Sequence, residues 1–561
     1  MSALRTTCLL LLFAIPPLTR AAPEFETGAR IPLEDGVELA ADVLRPGPDR
    51  YPTVLEITPY GRGPQGINFR GEAAFWAAHG YAFVVVDARG AGDSDGRFDF
   101  FVNAAADGRE VVDWIAAQPF SDGRVVMRGA SYTGTNQLLV AGLGTPALRC
   151  LAPAATGGIS PVDDVVYYDG EFHFAWAVGW PSNVAGSPLP RRPRDWDALL
   201  ALGSPAEADV AAHGRTSDLY RSFLRHGPED PHWAPATLGA EARARITQPV
   251  LMMTGWFDGT LDGTLEQFAA LRASNPDAHD LHLVIGPWLH EAVADGGLDF
   301  LSGYAPMTRV GNRTLPEAAF LDGRDLVRRF FDGCLGRDEG PVLPPVRVWL
   351  TGSDRWVDLD HWPPRTTDRV LHLRSSDGAN GLAGDGVLAE RSGDGRDRFR
   401  HDPAHPVRTG STDAAGRFRQ FALYPEDLSP LIDREDVLVF TSAPFEAPVT
   451  IAGRMVLDVA VTSTAPAALL AAYVEEIDAA GVATKLGGRG PALARVTPAA
   501  GAATTARIEF SPVGHTLAPG HRLRLSIAGS AYPLTYPLPE AGEHTVFHAG
   551  SRLRLPVLET P

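Results

Sequence analysis

The stretch RVVMRGASYTGTNQLL, residues 124–139, decides how the chain is interpreted. A run of apolar and β-prone residues ends at Gly129, Ser131 follows, and a helix-like pattern begins. A serine on such a strand-to-helix turn is typical of a nucleophile elbow with the spacing G-x-S-x-G. Here Thr133 stands where the second glycine is expected, and Gly134 comes one residue later. Two interpretations stay open at this point, a catalytic serine or an ordinary helix-capping serine.

The sequence around this stretch alternates strand-like and helix-like segments, which predicts a mainly parallel α/β sheet. Strand-like runs are YPTVLEI (51–57), YAFVVVDA (81–88), RVVMRG (124–129), CLAPAA (150–155), PVLMMTGW (249–256) and LHLVIGPW (281–288). Between the fourth and fifth runs lies an aromatic and proline-rich region with short helical pieces. We therefore predict an α/β domain that is split by an inserted helical cap.

Beyond about residue 355, many short alternating strands are separated by Gly, Pro, Asp and Ser, which predicts an all-β sandwich, plausibly a jelly roll. The predicted organisation is a signal peptide (1–22), a split catalytic domain (23–150 and 243–355), a helical cap (151–242) and a C-terminal β-sandwich (356–561).

Two downstream residues favour the catalytic interpretation of Ser131. Asp258 follows one predicted strand, and His290 follows the next. In open α/β sheets the carboxyl ends of the strands carry the functional loops. The chain order serine, acid, histidine is that of α/β-hydrolases. The spacings, 127 residues from Ser131 to Asp258 and 32 from there to His290, leave room for the cap and then one crossover unit.

Five segments in order carry a resemblance to a known family. PYGRG, DARGAGDSDGRF, VVMRGASYTG, TGWFDG and GPWLH resemble signature segments of the cocaine esterase and X-Pro dipeptidyl-peptidase group of serine hydrolases. That group uses G-x-S-Y-x-G, which is the form of residues 129–134. The resemblance covers essentially the whole chain after the signal segment. It implies an α/β-hydrolase domain with a helical cap and a C-terminal jelly roll.

The resemblance also implies a role for each matched residue. Ser131 would be the nucleophile, His290 the general base and Asp258 the group that orients the histidine. The oxyanion hole would be formed by the backbone N–H of Tyr132 and the hydroxyl of Tyr60, in the segment TPYG. For Tyr60, the alternative is a buried aromatic side chain with a satisfied hydroxyl.

Candidate substrate-binding residues lie in the cap and beside the catalytic acid. Aromatic residues of the cap, Trp176 among them, together with Trp256 and Phe257 beside the acid, suggest a pocket for an apolar or aromatic acyl group, although core packing is an alternative for each. The family's α-amino ester hydrolases hold a substrate ammonium with carboxylates just after the catalytic acid. Here Thr260 and Leu261 occupy those places, which weakens that interpretation.

Two cap carboxylates, Asp169 and Glu171, lie near the place from which a third carboxylate of that cluster would come. The alternative is a solvated cap loop. Three functions stay open: an ester hydrolase, an X-Pro dipeptidyl-peptidase or acylase of the same fold, and, remotely, a non-catalytic carbohydrate-binding protein. The expected substrate is a small ester or a short peptide or amide.

Other motifs point away from cofactors. Asp87 and Arg89, within DARGAGDSDGRF, are expected to fix a loop by ion pairing rather than to act in chemistry. HEAVA, from His290, lacks the second histidine of a zinc helix, and no glycine-rich stretch has a nucleotide-binding fingerprint. We therefore expect no metal and no cofactor.

Composition and the first residues bear on location and partners. The 561-residue chain has a formal net charge of −18, which argues against a nucleic-acid partner. Residues 1–22 have the basic start, apolar centre and small residues of a signal peptide, so we expect export to the periplasm or medium and no membrane association after signal removal. Cys150 and Cys334, which remain after cleavage, are interpreted as buried free thiols.

Overall fold

The structure is a computed structural model. It describes residues 23–62, 69–191, 193–276, 280–299, 305–412, 418–419, 424–498 and 502–559. The predicted signal peptide, residues 1–22, lies outside the described residues.

A ten-stranded sheet forms the centre of the N-terminal part. In chain order its strands are β1 (Glu24–Pro32), β2 (Glu38–Arg45), β3 (Tyr51–Thr58), β4 (Ala82–Asp87), β5 (Ser121–Ala130), β6 (Leu148–Ala154), β7 (Val250–Phe257), β8 (Leu281–Leu289), β9 (Val346–Leu350) and β10 (Arg355–Leu359). Their spatial order is β1-β2-β4-β3-β5-β6-β7-β8-β9-β10. In this spatial order, the strands from β4 through β3 and β5 to β9 run parallel to one another. Antiparallel strands flank them at both edges of the sheet. The predicted α/β-hydrolase fold is confirmed.

The parallel strands form because their sequences are apolar on both faces. All six residues of β4, AFVVVD, are buried, as expected for a strand covered by helices on either side. The described helices are α1 (Phe69–Ala78), α2 (Ala104–Ala117), α3 (Tyr132–Leu143), α4 (Phe174–Gly179), α5 (Trp196–Leu200), α6 (Ala208–His213), α7 (Asp218–Arg225), α8 (Ala240–Arg245), α9 (Leu261–Ser274), α10 (Gly323–Cys334) and α11 (Ser429–Ile432). All of α3 except Leu143 is buried, which makes it the central helix behind Ser131.

The segment between β6 and β7 is an insertion, because these two strands pair directly in the sheet. It contains α4 to α8, a π-helical turn (Val162–Val166), a ribbon of Tyr167–Tyr168 with Glu171–Phe172, and 3₁₀ turns at Trp180–Asn183 and Pro231–Ala236. An aromatic cluster joins the insertion to the segment before α2. The Trp176 and Trp180 rings stack at 5.1 Å, and Phe100 contacts both.

The C-terminal domain is β-rich. Its strands are β11 (Thr366–Arg374), β12 (Val387–Ala389), β13 (Arg396–His401), β14 (Val437–Ser442), β15 (Val449–Gly453), β16 (Val456–Ser463), β17 (Ala468–Ile477), β18 (Ala483–Lys485), β19 (Ala492–Val496), β20 (Thr504–Glu509), β21 (Val513–Leu517), β22 (Arg522–Ala528) and β23 (Gly542–Leu558). The 17-residue β23 pairs with β11, β13 and β16, which links the strands into one branched network. The more specific description as a jelly roll stays a prediction.

Three short ribbons complete the described strands: Leu298–Asp299 with Ala305–Pro306, Arg309–Val310 with Arg313–Thr314, and Ser411–Thr412 with Phe418–Arg419. Among the residues that the structure describes, the 3₁₀ turns outside the insertion are His290–Asp295 and Glu317–Ala319. The central sheet continues to Leu359, a few residues past the predicted domain boundary at 355, because β10 pairs with β9.

The interpretation of the two cysteines as free thiols is wrong. Cys150 on β6 and Cys334 at the end of α10 form a disulfide, with their Cα atoms 6.6 Å apart and a sequence separation of 184. The helix packs across the sheet at this strand, so the fold brings together two residues whose sequence separation gave no reason to pair them.

Candidate active site

Ser131 lies on a strained turn between β5 and α3. Its backbone has φ 61° and ψ −123°, a conformation that non-glycine residues rarely adopt. The turn is fixed from both sides. The Ser131 N–H donates to the carbonyl of Ala154 at 3.0 Å, and the Ser131 carbonyl accepts from the Thr135 N–H at 2.9 Å. Strain that the surrounding structure holds in place is typical of a nucleophile elbow.

The displaced glycine has a steric explanation. A Cβ atom at Gly134 would lie 2.3 Å from the Ala154 carbonyl oxygen, so α3 can approach β6 only with glycine there. Gly129 has φ 134°, and a Cβ atom on it would lie 2.2 Å from the Thr133 hydroxyl, which donates to the Ala130 carbonyl at 2.8 Å. Thr133 therefore occupies the space that Gly129 leaves, and G-x-S-Y-x-G closes the same kind of turn as the usual motif.

The register of β7 and β8 places Asp258 beside His290. Phe257 pairs with Leu289, and each candidate residue follows directly. His290 Nδ1 lies 2.6 Å from Asp258 Oδ1. The fully buried Asp258 carboxylate also accepts from the Thr260 N–H at 3.0 Å and the Thr254 hydroxyl at 3.3 Å. These donors restrain the carboxylate beside the imidazole.

The charge state of His290 depends on Asp258. Burial of the ring disfavours the imidazolium, but the charge and hydrogen bond of Asp258, together with the charge of Glu291, outweigh it and raise the pKa of His290 to about 9. Because Nδ1 faces Asp258, Nε2 is the nitrogen left to exchange a proton with a nucleophile.

We expect the activity of the free enzyme to rise with pH over an alkaline range. A general base must be neutral, and the pKa of His290 is about 9 instead of its usual 6.5. The kcat/KM for a neutral ester should therefore increase from pH 6, reach half of its maximum near pH 9 and level off above about pH 10. The stability that the charged pair contributes has the opposite sign, since it is complete below pH 6.5 and is lost as pH rises through about 9. A pH profile that levels off below pH 7 would contradict this assignment.

Tyr60 lies beside Ser131, just beyond the end of β3. Its hydroxyl is a hydrogen-bond neighbour of the Ser131 side chain, the Trp180 side chain and the backbone of Tyr132. Burial raises the pKa of the Tyr60 hydroxyl, and these hydrogen bonds only partly oppose the shift, so it keeps its proton for donation. The Tyr132 N–H stands at the first turn of α3, where helix N–H groups have no partner within the helix. Both expected oxyanion donors thus meet beside Ser131.

The sequence places Trp180 among the aromatic residues of the cap but does not connect it with Tyr60. Its ring lies edge-on to Tyr60, with centroids 6.2 Å apart, and is nearly buried. An aromatic cap residue at this distance from TPYG in sequence carries no signal that would link the two. The side chain of Tyr132 has a different role from its N–H, because it stacks on Phe101 at 4.1 Å and belongs to the core.

Replacing Tyr60 with Phe tests the donor role. We expect kcat to fall by roughly 10²–10³-fold, the usual effect of losing one oxyanion-hole donor, with little change in KM or in melting temperature. Tyr51→Phe, on the same strand but outside the site, provides a matched control. A Tyr60→Phe enzyme with wild-type kcat would show that the hydroxyl is only a satisfied buried group.

Arg128 forms a buried ionic cluster behind the site, which motif analysis also missed. Its guanidinium pairs with Glu72, lies 3.2 Å from Asp295 and lies 3.7 Å from Glu56. Burial raises the pKa of Glu56 to about 8 and that of Asp295 to about 6. Arg128 lies on β5, shortly before the turn that carries Ser131. Asp295 ends the 3₁₀ turn that begins at His290. The cluster therefore links the Ser131 turn with the His290 turn. A charged residue inside an apolar strand was the available signal.

The glycine-rich segment 87–98 is a fixed loop, as its sequence predicts. Asp87 accepts from the Arg62 N–H at 2.9 Å and lies 3.1 Å from its guanidinium, and Arg89 donates twice to Asp107 at 2.9 and 2.6 Å. A Cβ at Gly92 would lie 2.2 Å from Asp87 Oδ2. These ion pairs account for Asp87 and Arg89.

Comparison with known proteins identifies the family of this chain. Residues 35–292 match the model of the X-Pro dipeptidyl-peptidase (S15 family), and residues 342–555 match that of the X-Pro dipeptidyl-peptidase C-terminal non-catalytic domain. Cocaine esterase of Rhodococcus sp. (strain MB1 Bresler) is 28% identical over 540 residues, which cover 90% of each chain. The chain belongs to the cocaine esterase and X-Pro dipeptidyl-peptidase group of serine hydrolases.

Solved structures show the same fold for this serine hydrolase. An aminopeptidase from a marine sediment Thaumarchaeota archaeon superposes with a TM-score of 0.80 at 20% identity, covering 99% of both chains. An α-amino acid ester hydrolase superposes with a TM-score of 0.77 at 22% identity, covering 97% of this chain and 99% of that one. At these identities the likeness concerns the fold alone.

The aromatic residues expected at the substrate pocket of the hydrolase fall into two places. Trp176 lines an open cleft of the insertion together with Trp180, Arg191 and Arg194. Trp256 and Phe257 are instead buried, 2% and 5% exposed, and Trp256 donates from its indole to the Trp349 carbonyl at 2.5 Å. Trp180 lines this cleft and also contacts Tyr60, while Trp256 and Phe257 pack where the catalytic and C-terminal domains meet.

The two cap carboxylates of the hydrolase are engaged by arginines of the C-terminal domain. Asp169 accepts from the Leu493 N–H at 2.9 Å and lies 3.4 Å from Arg489. Glu171 accepts from Arg495 Nε at 2.6 Å. The structure therefore places both in ion pairs between domains and does not bring them to Ser131 as a free ammonium site. Thr260 donates to Asp258, and Leu261 is buried.

In the described part of the hydrolase, no cluster of three or more His, Cys, Asp or Glu side chains could hold a metal ion. Over the same residues, no helix has the length and apolar character needed to cross a membrane.

Proposed function

We propose that this serine hydrolase cleaves carboxylic esters with an apolar or aromatic acyl group, using Ser131, His290 and Asp258 as its catalytic triad. The observation that carries the proposal is the His290–Asp258 contact of 2.6 Å, at the same sheet edge as a strained serine that has Tyr60 beside its hydroxyl. A structural serine needs neither the strained backbone nor an aligned histidine–carboxylate pair.

In the proposed mechanism, Ser131 Oγ attacks the ester carbonyl carbon while His290 Nε2 takes the hydroxyl proton. Asp258 stabilises the imidazolium that forms. The developing oxyanion accepts hydrogen bonds from the Tyr132 N–H and the Tyr60 hydroxyl. The C–O bond to the alcohol then breaks, and the alcohol leaves with the proton from His290. Water attacks the acyl-enzyme by the same route in reverse order and releases the carboxylic acid.

The paired carboxylates support an ester substrate over a peptide with a free amino terminus. An ammonium group in a partly desolvated pocket needs an unpaired countercharge. Asp169 and Glu171 already face Arg489 and Arg495, and Leu261 offers no charge. The Trp176 and Trp180 stack in the open cleft supports an aromatic or apolar acyl group. Amide hydrolysis of an X-Pro unit or a related acyl group is the second candidate, since both matching family models carry that peptidase's name.

Parallel assays with two chromogenic substrates separate the candidates. We expect the hydrolase to turn over p-nitrophenyl butyrate with a much higher kcat/KM than Ala-Pro-p-nitroanilide, and Ser131→Ala to lose both activities. A higher kcat/KM for the anilide would overturn the ester proposal while leaving the triad in place. Because both reactions share one acyl-enzyme mechanism, only the substrate comparison distinguishes them.

We further infer that the enzyme is exported, with residues 1–22 as its signal peptide. The Cys150–Cys334 disulfide supports this inference, since stable disulfides are typical of oxidising compartments. Amino-terminal sequencing of protein from the producing cells should begin at Ala22 or Pro23. A mature protein that retains residues 1–21 would contradict the inference.

A further inference from the structure

One segment of the C-terminal domain reaches the candidate catalytic acid. The loop between β18 and β19, residues 486–491 (LGGRGP), packs against the end of β7, where Asp258 follows. We propose that this acid-positioning loop holds Asp258 in place, so that Gly488 and Arg489 are positioning residues of the enzyme. The proposal rests on the proposed function, because it takes Asp258 as the acid of the triad.

Gly488 makes the closest approach. A Cβ atom on it would lie 2.0 Å from the Phe257 Cα and 2.5 Å from the Trp256 carbonyl oxygen. Both contacts are with backbone, which cannot rotate away as a flexible side chain can. Since Phe257 immediately precedes Asp258, any side chain at position 488 would displace the backbone that carries the acid.

Arg489 anchors the segment that follows Asp258 in the chain. Its buried guanidinium lies 3.6 Å from Asp262, in the first turn of α9, and 3.7 Å from Asp164 in the insertion. It also lies over the Tyr168 ring, 4.0 Å from the centroid. Asp262 receives two more C-terminal partners, Arg454 at 2.5 Å and the Ser511 hydroxyl. The start of α9 is thus anchored in the C-terminal domain.

The anchored turn continues into Asp258 itself. The Leu261 N–H donates to the Asp258 carbonyl at 3.3 Å, and the Thr260 N–H donates to its carboxylate at 3.0 Å. The acid therefore lies on a short segment fixed by Gly488 before it and by Asp262 after it. The catalytic domain alone does not supply either restraint.

Lys485, the single lysine of the chain, shapes the acid-positioning loop. Its buried ammonium donates to the carbonyls of Gly487 and Arg489, the latter at 3.1 Å. These two bonds curl the loop so that Gly488 faces Phe257. On the opposite side, Gly514 leaves room for the Trp256 ring, because a Cβ there would lie 2.7 Å from it.

Displacement of the Asp258 carboxylate should have two measurable consequences. A displacement of about 1 Å at a catalytic group can cost roughly 10²-fold in rate, so kcat should fall. The charge of Asp258 also raises the pKa of His290, so a more distant carboxylate should move the alkaline inflection of the kcat/KM profile to lower pH. A role in folding alone would lower the melting temperature without moving that inflection.

Gly488→Ala tests the proposal with Gly386→Ala as its matched control. A Cβ at Gly386 would lie 2.0 Å from the Val439 carbonyl oxygen, an equally severe clash that is confined to the C-terminal domain. We expect Gly488→Ala to lose roughly 10- to 100-fold in kcat and to shift the inflection to lower pH. Gly386→Ala should lower the melting temperature and leave the inflection unchanged.

Arg489→Met gives a second test, which decides the matter if Gly488→Ala does not fold. Its control is Arg524→Met, since Arg524 is equally buried and pairs with Glu475 and Asp427 inside the C-terminal domain. Loss of kcat and a shifted inflection in Arg489→Met alone would support the proposal. Equal behaviour of Arg489→Met and Arg524→Met would overturn it.

Asp258→Asn, assayed in parallel, separates this proposal from the proposed function. If Asp258→Asn retains full turnover, Asp258 is not the acid and the proposed triad fails. If Asp258→Asn is inactive while folded Gly488→Ala and Arg489→Met keep the wild-type kcat and inflection, the triad stands and the acid-positioning loop is only structural.

Discussion

Ser131→Ala should lower the kcat for p-nitrophenyl butyrate by roughly 10⁴–10⁶-fold, the range typical of removing the nucleophile of a serine hydrolase. The loss follows because no other group at the elbow can form the acyl-enzyme. The fold should persist, since the backbone of residue 131 makes the hydrogen bonds to Ala154 and Thr135 that shape the turn. The melting temperature should change little, because the Ser131 side chain is only partly buried.

Ser204→Ala serves as the control for that variant. Ser204 is an exposed serine of the insertion whose hydroxyl accepts from the nearby Ala206 N–H. It should retain wild-type kcat. A folded Ser131→Ala enzyme with more than a few per cent of the wild-type rate would remove Ser131 from the mechanism.

Asp258→Asn should lower kcat by roughly 10⁴-fold, as in triads whose acid is replaced by its amide. Asparagine keeps the size of the side chain but can donate to the imidazole, which favours the wrong tautomer. The lost charge should also bring the alkaline inflection down toward the ordinary histidine range, because that charge raises the pKa of His290.

Asp368→Asn, an exposed position on β11, provides the matched control for Asp258→Asn. It removes the same charge from the chain and should change neither kcat nor the inflection. If Asp258→Asn lost activity but kept an inflection near pH 9, another group would be responsible for the raised pKa of the histidine.

The sequence alone predicts the central sheet and the three turns that carry Ser131, Asp258 and His290. Apolar runs such as AFVVVD demand burial on both faces, and a chain that alternates them with helices has few ways to satisfy that demand. Parallel strands then bring their carboxyl ends to one edge. For this reason the sequence alone predicts that Asp258 and His290, each just past a strand, lie close together.

The displaced glycine shows where motif spacing is insufficient. The sequence pattern alone could not say whether Thr133 breaks the elbow. The coordinates show that the turn needs space at two points, beside Thr133 and beside the Ala154 carbonyl, which Gly129 and Gly134 provide. The physical requirement is room for the backbone, and more than one spacing of glycines meets it.

The features that sequence reasoning missed depend on contacts between distant parts of the chain. Trp180 contacts Tyr60 from the insertion, and Cys334 reaches Cys150 across 184 residues. Asp169 was considered as a substrate-binding residue, but its partner, Arg489, lies in another domain. No local periodicity or spacing encodes such pairs, since they depend on how whole domains pack.

Mass mapping after treatment with a fluorophosphonate inhibitor tests the central claim most directly. Ser131 is the single serine of the tryptic peptide 129–149, so an adduct on this peptide's serine identifies the nucleophile. We predict one adduct per chain, located on Ser131, with labelling that parallels the loss of esterase activity. Complete inactivation with peptide 129–149 unlabelled, or an adduct on a different serine, would contradict the assignment of Ser131 as the nucleophile.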